Sequence, residues 1–187
     1  MRLAKKRLKY YIERQTTIQP WCKGQVEGTP KSVSSPSAEP LAAIFIPQHK
    51  VDELYKRVEA SFIRQGLMKT LNASLDKVQS GLVQISSEFN EGLSQQHNFF
   101  HAGVMTGIVD SACGYAALTL VPADKEVLTV EFKVNFLKPA TTTKLIAIGK
   151  VIQSGKTLTV CEGNVYDETG EKLIARMTAT IITIDNK

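Results

Sequence analysis

One carboxylate stands alone in an apolar stretch of this 187-residue chain. Asp110 is the only charged residue between Ala102 and Leu120, a segment rich in alanine and glycine. Burying a carboxylate without compensation costs several kcal/mol. Asp110 is therefore either hydrogen-bonded locally, for example to the Thr106 or Ser111 hydroxyl, or held in a cleft as a general base or nucleophile.

The start of the same segment offers hydrogen-bond donors, which would attract a negatively charged oxygen. The first backbone N–H groups of a helix have no partner within it, and the helix dipole is positive there. Small side chains at Ala102 and Gly103 would let a ligand carbonyl approach those amides, which is the outline of an oxyanion hole. The alternative is that side chains of the preceding loop cap the amides. Directly before the segment lies His101, the histidine that we place near a ligand.

The length of the helix separates these two features. Ala102 and Asp110 are eight residues apart, which is about 12 Å along one helix. A carbonyl bound at the helix start cannot then reach the Asp of the same helix. Either the features are unrelated, or a site combines Ala102 of one subunit with Asp110 of another, and catalysis requires an oligomer with shared sites.

Hydrophobic periodicity indicates the elements that position these residues. It predicts a first helix from Val51 that Gly66 ends, and a buried central helix over 102–120 whose small residues allow close approach of neighbouring backbone. Alternation over 127–137 predicts a strand with one apolar face, formed by Leu128, Val130, Phe132, Val134 and Phe136. Further strands are predicted over 70–75, 82–89, 144–153, 157–166 and 173–184, with turns within 76–81, 154–156 and 167–170. This order predicts an α+β domain in which an antiparallel sheet wraps around a long central helix.

Composition and charge restrict the class of protein. With 43% hydrophobic and 22% charged residues, the chain has the balance of one globular domain. Residues 1–40 carry eight Lys/Arg and three Asp/Glu, whereas residues 41–187 carry 15 of each. The net charge of +5 therefore belongs to the first 40 residues and gives no reason to expect a nucleic-acid partner. No apolar run approaches the roughly 20 residues that span a bilayer.

The chain divides into a basic segment and a domain. Residues 1–40 are predicted to be a disordered tail or a presequence, and residues 41–187 a single domain. Three unclustered cysteines favour a reducing compartment. We therefore expect a cytoplasmic protein, with organellar import by the basic tail as the alternative. Metal-ligand spacings, a phosphate-binding glycine loop and a Gly-x-Ser-x-Gly elbow are all missing, so neither a metal nor a cofactor is expected.

The spacing of the site residues resembles that of hotdog-fold thioesterases of the PaaI type. Their pattern is an Asn six residues before a His-Gly-Gly, and an Asp nine residues after the His. Gln95, His101 and Asp110 stand at these spacings. The segments 127–140 and 155–158 also resemble the family. Two positions differ, because Gln95 replaces the Asn and Ala102 replaces the first Gly.

The resemblance implies hydrolysis of acyl-CoA by a homodimer or homotetramer with sites shared between subunits. By analogy, the Ala102 amide, with Gly103 beside it, polarises the thioester carbonyl. Asp110 of the facing subunit activates water or attacks directly, and Gln95 orients the water or the carbonyl. The resemblance also places Thr129 near the attacking water, His101 at the helix start, and Gly155, Lys156 and Thr157 against the CoA phosphates.

Two other functions stay open at this point. A non-catalytic acyl-CoA-binding module would keep the fold and the pocket, although it would not need a buried carboxylate. A hotdog dehydratase acting on hydroxyacyl thioesters would depend on a catalytic histidine, for which His101 is available. The acyl group itself does not follow from the sequence, because the depth of a tunnel depends on packing.

Overall fold

The computed structural model describes residues 48–185, which form three α-helices and six strands. The helices are α1 (Gln48–Phe62), α2 (Gly66–Thr70) and α3 (Ala102–Leu118), with a 3-10 helix at Glu91–Leu93. The strands are β1 (Ala73–Gln79), β2 (Leu82–Glu88), β3 (Lys125–Phe136), β4 (Lys144–Ser154), β5 (Leu158–Tyr166) and β6 (Leu173–Asp185). All neighbouring strands are antiparallel, in the order β1-β2-β4-β5-β6-β3. The predicted tail, residues 1–40, lies outside the described residues.

The central element is α3, and the sheet wraps around it. Ten of its 17 residues are buried, and it contacts all six strands. A helix with this many glycines and β-branched residues has weak intrinsic propensity, so burial holds it in place. The predicted α+β architecture with a buried central helix is confirmed.

A pair of glycines lets α3 lie directly on the sheet. Gly149 of β4 stands opposite Gly163 of β5 in the ladder. A Cβ atom added at Gly149 would lie 2.3 Å from the carbonyl carbon of Ala112, and one at Gly163 would lie 2.4 Å from Cγ2 of Val109. Strand and helix backbones therefore touch at this point, which fixes α3 against the sheet within two residues of Asp110.

The chain between α1 and β1 differs from the prediction. The first helix ends at Phe62, and Gly66 does not end it but opens α2. The first strand then begins at Ala73, three residues later than predicted. Met68 and Leu71 are buried here. Their spacing of three residues suits one face of a helical turn, whereas in a strand it would point them to opposite faces.

A β-bulge in β3 changes which of its side chains face the helix. The alternation predicts Leu128 and Phe132 on one face and Thr129 on the other. In the structure the pairing with β6 shifts after Thr129, so that Thr129 stands opposite Ile181 and Phe132 opposite Ala179. Both partners are buried on the side of α3. The predicted single apolar face is therefore wrong, because one extra residue puts Thr129 on the helix side and Leu128 on the outer side.

The hairpin turns follow the turn chemistry of the sequence. Those at 154–156 and 167–170 are confirmed, and Gly170 has the positive φ of +75° that such a turn requires. In the first hairpin only Ser80-Gly81 forms the turn, with Gly81 at φ +73°. Asp76 and Lys77, predicted as turn residues, lie within β1, where the register with β2 shifts.

Candidate active site

The isolated carboxylate of α3 is hydrogen-bonded to a hydroxyl of β3. Thr129 Oγ1 donates to Asp110 Oδ1 at 2.8 Å. The hydroxyls that the sequence offers as local partners are engaged elsewhere. Thr106 donates to a carbonyl one turn back at 3.0 Å, and Ser111 donates to Gln65 Oε1 at 3.3 Å. A residue of the sheet therefore holds the carboxylate in place, and the β-bulge turns that residue toward it.

Two opposing effects act on the pKa of Asp110. Burial disfavours the charged form and raises the pKa, whereas the hydrogen bond from Thr129 favours the charged form and lowers it. Burial is the larger effect, so the pKa of Asp110 lies above its ordinary value. A carboxylate with a higher pKa is a stronger base, as proton abstraction from water requires.

Asp110 borders a cavity of about 210 Å³. Its walls are the end of α1 with the residues that follow, one stripe of α3, and the first half of β3. The stripe includes Asp110, Gly114 and Leu118 at four-residue spacing. The cavity therefore extends along about 12 Å of α3 from Asp110 toward the end of the helix.

One wall of this cavity, which we call the polar wall, is formed by Ser61, Gln65, Ser111 and Tyr115. The Tyr115 hydroxyl accepts from Gln65 Nε2 at 2.9 Å and donates to Ser61 Oγ at 3.4 Å. Burial raises the pKa of Tyr115, so its hydroxyl remains protonated. These residues were not predicted from the sequence, because their hydrogen bonds join positions 46 to 54 residues apart. The available signal was a pair of polar side chains, Ser111 and Tyr115, at helical spacing on a mostly apolar helix.

A second group of residues lies at the start of α3. His101 is the residue before the helix, and its Nδ1 accepts from the N–H of Gly103 at 2.9 Å. That amide is thus capped by a loop side chain, as the alternative reading expected. Within residues 48–185 no acceptor contacts the N–H of Ala102. Of the two amides that the sequence analysis offers to a carbonyl, the one of Ala102 is therefore without an acceptor in the described chain.

Gln95 lies in the tight loop that leads into α3. Its N–H donates to the carbonyl of Phe99 at 2.8 Å, and Ser94 pairs with Phe100 in a single bridge that closes the loop. The side-chain Oε1 of Gln95 accepts from the N–H of His97. This bond fixes the carboxamide and leaves its Nε2 donors for other partners.

The predicted site residues fall into three places within one subunit. Asp110 and Thr129 contact each other, and the residues at the helix start lie about 12 Å away. The third place is the β4–β5 turn, which does not border the cavity. The helix-start group is His101, Ala102, Gly103 and the nearby Gln95, and the turn group is Gly155, Lys156 and Thr157.

The described part of the chain holds neither a metal site nor a membrane-spanning helix. Among residues 48–185, no group of His, Cys, Asp or Glu is arranged to hold a metal ion. No helix in that range has the length and apolar character to cross a membrane. Cys113 and Cys161 are buried, and burial raises the pKa of Cys161 to about 11 and that of Cys113 further. Both thiols are therefore protonated core groups.

Comparison with known proteins gives consistent matches. A model of the thioesterase superfamily matches residues 97–174. A solved thioesterase family protein from Silicibacter pomeroyi is 42% identical, covers 71% of this chain and 99% of its own, and superposes with a TM-score of 0.68. The 1,4-dihydroxy-2-naphthoyl-CoA hydrolase of Listeria monocytogenes is 28% identical over 62% of this chain and 94% of its own length. The E. coli PaaI protein, 18% identical, shares the fold with a TM-score of 0.66 over 74% of this chain and 96% of its own. These neighbours support the predicted hotdog fold.

Proposed function

Since this chain belongs to the thioesterase superfamily, we propose that it hydrolyses acyl-CoA thioesters to a free carboxylate and CoA. The observation that carries the proposal is the Asp110 carboxylate, which borders a cavity and accepts a hydrogen bond from Thr129 at 2.8 Å. A partly buried carboxylate lowers stability, and its retention is explained by its use as a base.

In the proposed reaction Asp110 takes a proton from water while that water attacks the thioester carbon. The carbonyl oxygen becomes an oxyanion, which the N–H of Ala102 of the partner subunit stabilises. The C–S bond then breaks, the acyl group keeps the water oxygen, and the proton passes to the departing thiolate or to solvent. Thr129 orients the carboxylate, and Gln95 of the partner subunit orients the water or the carbonyl through Nε2. Direct attack by Asp110 on the carbonyl is the alternative first step.

A second subunit is part of the proposal, because Ala102 and Asp110 of the same chain lie too far apart to act on one carbonyl. The edge of the sheet suggests where that subunit binds. The 12-residue strand β3 is at the end of the strand order, and its helix-facing Phe132 and Phe136 are 44% and 47% exposed. A long apolar edge strand is an aggregation hazard unless it is paired. We therefore place the dimer interface on β3, and leave a tetramer as a further association of such dimers.

Three finer assignments belong to this proposal. The turn residues Gly155, Lys156 and Thr157 contact the CoA phosphates, with Lys156 as the cation. The protein acts without a cofactor. Its compartment is cytoplasmic, a proposal that rests on three unclustered cysteines.

The first experiment measures thiol release by the full chain from a panel of short, long and aromatic acyl-CoA thioesters. Asp110→Asn is expected to lower turnover by about 10²-fold or more, as loss of a general base does. Turnover that survives in this variant would refute the Asp110 mechanism. Tight acyl-CoA binding without turnover would favour the binding-module alternative, and dehydration of hydroxyacyl thioesters dependent on His101 would favour the dehydratase.

A second experiment tests whether the site is shared. Ala102→Pro removes the proposed donor, and the extended backbone of His101 (ψ 143°) accepts a following proline at the first helical position. Refolding this variant together with Asp110→Asn gives mixed dimers in which one of the two sites has both native groups. Half of randomly formed dimers are mixed, and each mixed dimer has one intact site of two. About a quarter of the native activity should therefore return. A site within one subunit would regain nothing.

A further inference from the structure

The cavity beside Asp110 is walled on one side by hydrogen-bonding groups. Acyl sites for plain alkyl chains are lined by apolar side chains. Here the polar wall lies along α3 beyond Asp110, and Glu126 of β3 borders the same cavity. Tyr115 is five residues beyond Asp110, about 7.5 Å along the helix axis. An acyl group that runs from Asp110 into the cavity would therefore place its far end among these polar groups.

Several polar atoms of this wall have hydrogen-bonding capacity left. Gln65 Nε2 uses one N–H on Tyr115 and has a second one available. Ser61 Oγ accepts from Tyr115 and keeps its own O–H for another acceptor. Glu126 lines the same cavity as Tyr115. Burial is the largest cause of the raised pKa of Tyr115, and the charge of Glu126 also raises that pKa, whereas the charge of Arg64 lowers it. Within residues 48–185 no hydrogen bond or ion pair engages the Glu126 carboxylate.

The charges around the cavity restrict which acyl groups can bind in it. Asp110 and Glu126 are both carboxylates, and no Lys or Arg of the described chain lines the cavity. Arg64 does not line the cavity, so an acyl group that ends in a carboxylate would meet two like charges at the wall itself. A neutral group that both donates and accepts hydrogen bonds could pair with the Glu126 carboxylate and with the remaining N–H of Gln65 or O–H of Ser61.

We propose that the cavity selects short acyl groups that carry a hydroxyl at the end remote from the thioester. The hydroxyl donates to Glu126 and accepts from Gln65 Nε2 or the Ser61 hydroxyl. This inference rests on the proposed acyl-CoA hydrolysis and names its substrate class. Gln65 is the residue that determines the specificity, because it ties Tyr115 and Ser111 together and offers the free donor.

A matched set of thioesters of equal length tests this proposal. The full chain is assayed with hexanoyl-CoA, 6-hydroxyhexanoyl-CoA and adipyl-CoA, whose acyl groups end in a methyl, a hydroxyl and a carboxylate. We expect kcat/KM for the hydroxylated substrate to exceed the other two by about tenfold or more, because analogues that leave buried polar groups unpaired are rejected. Gln65→Leu should bring the hydroxyl-to-methyl ratio to about one, since the variant lacks the donor.

The matched control is Gln84→Leu, the same substitution at a glutamine of β2. Gln84 bonds to Asp76 at 3.1 Å and does not border the cavity, so its variant should keep the native ratio. Tyr115→Phe, which removes one hydroxyl from the polar wall, should lower the ratio even if Gln65→Leu fails to fold.

The outcomes separate this inference from the proposed function. Equal rates for hexanoyl-CoA and 6-hydroxyhexanoyl-CoA would overturn the inference and leave the hydrolase standing. So would a native ratio in Gln65→Leu accompanied by a lower melting temperature, because the polar wall would then only tie α1 to α3. Absence of turnover with every thioester would instead overturn the proposed function itself.

Discussion

Replacing Thr129 by Val removes the hydroxyl that donates to Asp110 and keeps a β-branched side chain of similar shape in the strand. A hydrogen bond to a charged group contributes about 1.5–3 kcal/mol. Thr129 is exposed in the single chain, so the lower end of that range applies. A loss of about 1.4 kcal/mol corresponds to a fall of about tenfold in kcat/KM near neutral pH.

The direction in which the pH profile moves tests whether the hydrogen bond acts on the ionisation of Asp110. The hydroxyl stabilises the ionised form of Asp110, and the hydrogen bond therefore lowers the pKa of that carboxyl. Without this hydrogen bond the pKa of Asp110 rises further. A larger fraction of the enzyme then has a protonated Asp110 at any pH near that pKa. The acidic limb of the kcat/KM profile for acyl-CoA hydrolysis should accordingly move to higher pH in Thr129→Val.

The matched control is Thr129→Ser, which keeps the hydroxyl and should keep the acidic limb near its native position. A Thr129→Val enzyme with a native profile and native rate would refute the reasoning, because the hydrogen bond would then contribute nothing to the ionisation of the base. A uniform loss of rate with an unmoved limb would also contradict it, and would indicate a packing defect.

Three further substitutions test the fold and the assembly. Asp110→Asn should raise the melting temperature at pH 7, because burial raises the pKa of the carboxyl and disfavours its charged form. This gain should disappear as the pH falls toward 3.8, the ordinary value. Gly149→Ala should lower the unfolding free energy by about 1–3 kcal/mol in denaturant titration, since its Cβ would lie 2.3 Å from the Ala112 backbone. Gly66→Ala, with nothing within 4 Å, is its control. Phe132→Glu should give a monomer in analytical ultracentrifugation that lacks activity, and a fully active monomer would contradict the shared site.

Local sequence signals predicted the elements better than their boundaries. The small residues after Ala102 identified α3, and the paired turn residues identified the later hairpins. The short helix α2 was missed, because burial of Met68 and Leu71 decides it and their intervening residues carry no helical signal of their own. The register of β3 was also mispredicted, because a bulge inserts one residue where the alternation of the sequence continues unbroken.

The candidate site was predictable where its residues are close in sequence. Asp110 and the helix start at Ala102 follow from the composition of one segment, and their separation of eight residues already indicated two subunits. The polar wall did not follow, because Gln65 lies between α1 and α2 and meets Tyr115 only in the tertiary fold. A glutamine that follows a helix on the surface and one that lines a cavity have the same local sequence.

The bulge and the glycine pair together explain why Asp110 has a partner at all. A carboxylate on a buried helix needs a donor from a neighbouring element, and a regular β3 would turn Thr129 to the outer face. The bulge costs one ladder position and gains the 2.8 Å hydrogen bond. Gly149 and Gly163 in turn hold α3 at the depth where that bond can form. The geometry of the proposed base is therefore a property of the sheet, and substitutions distant from Asp110 in sequence should alter its pKa as directly as those beside it.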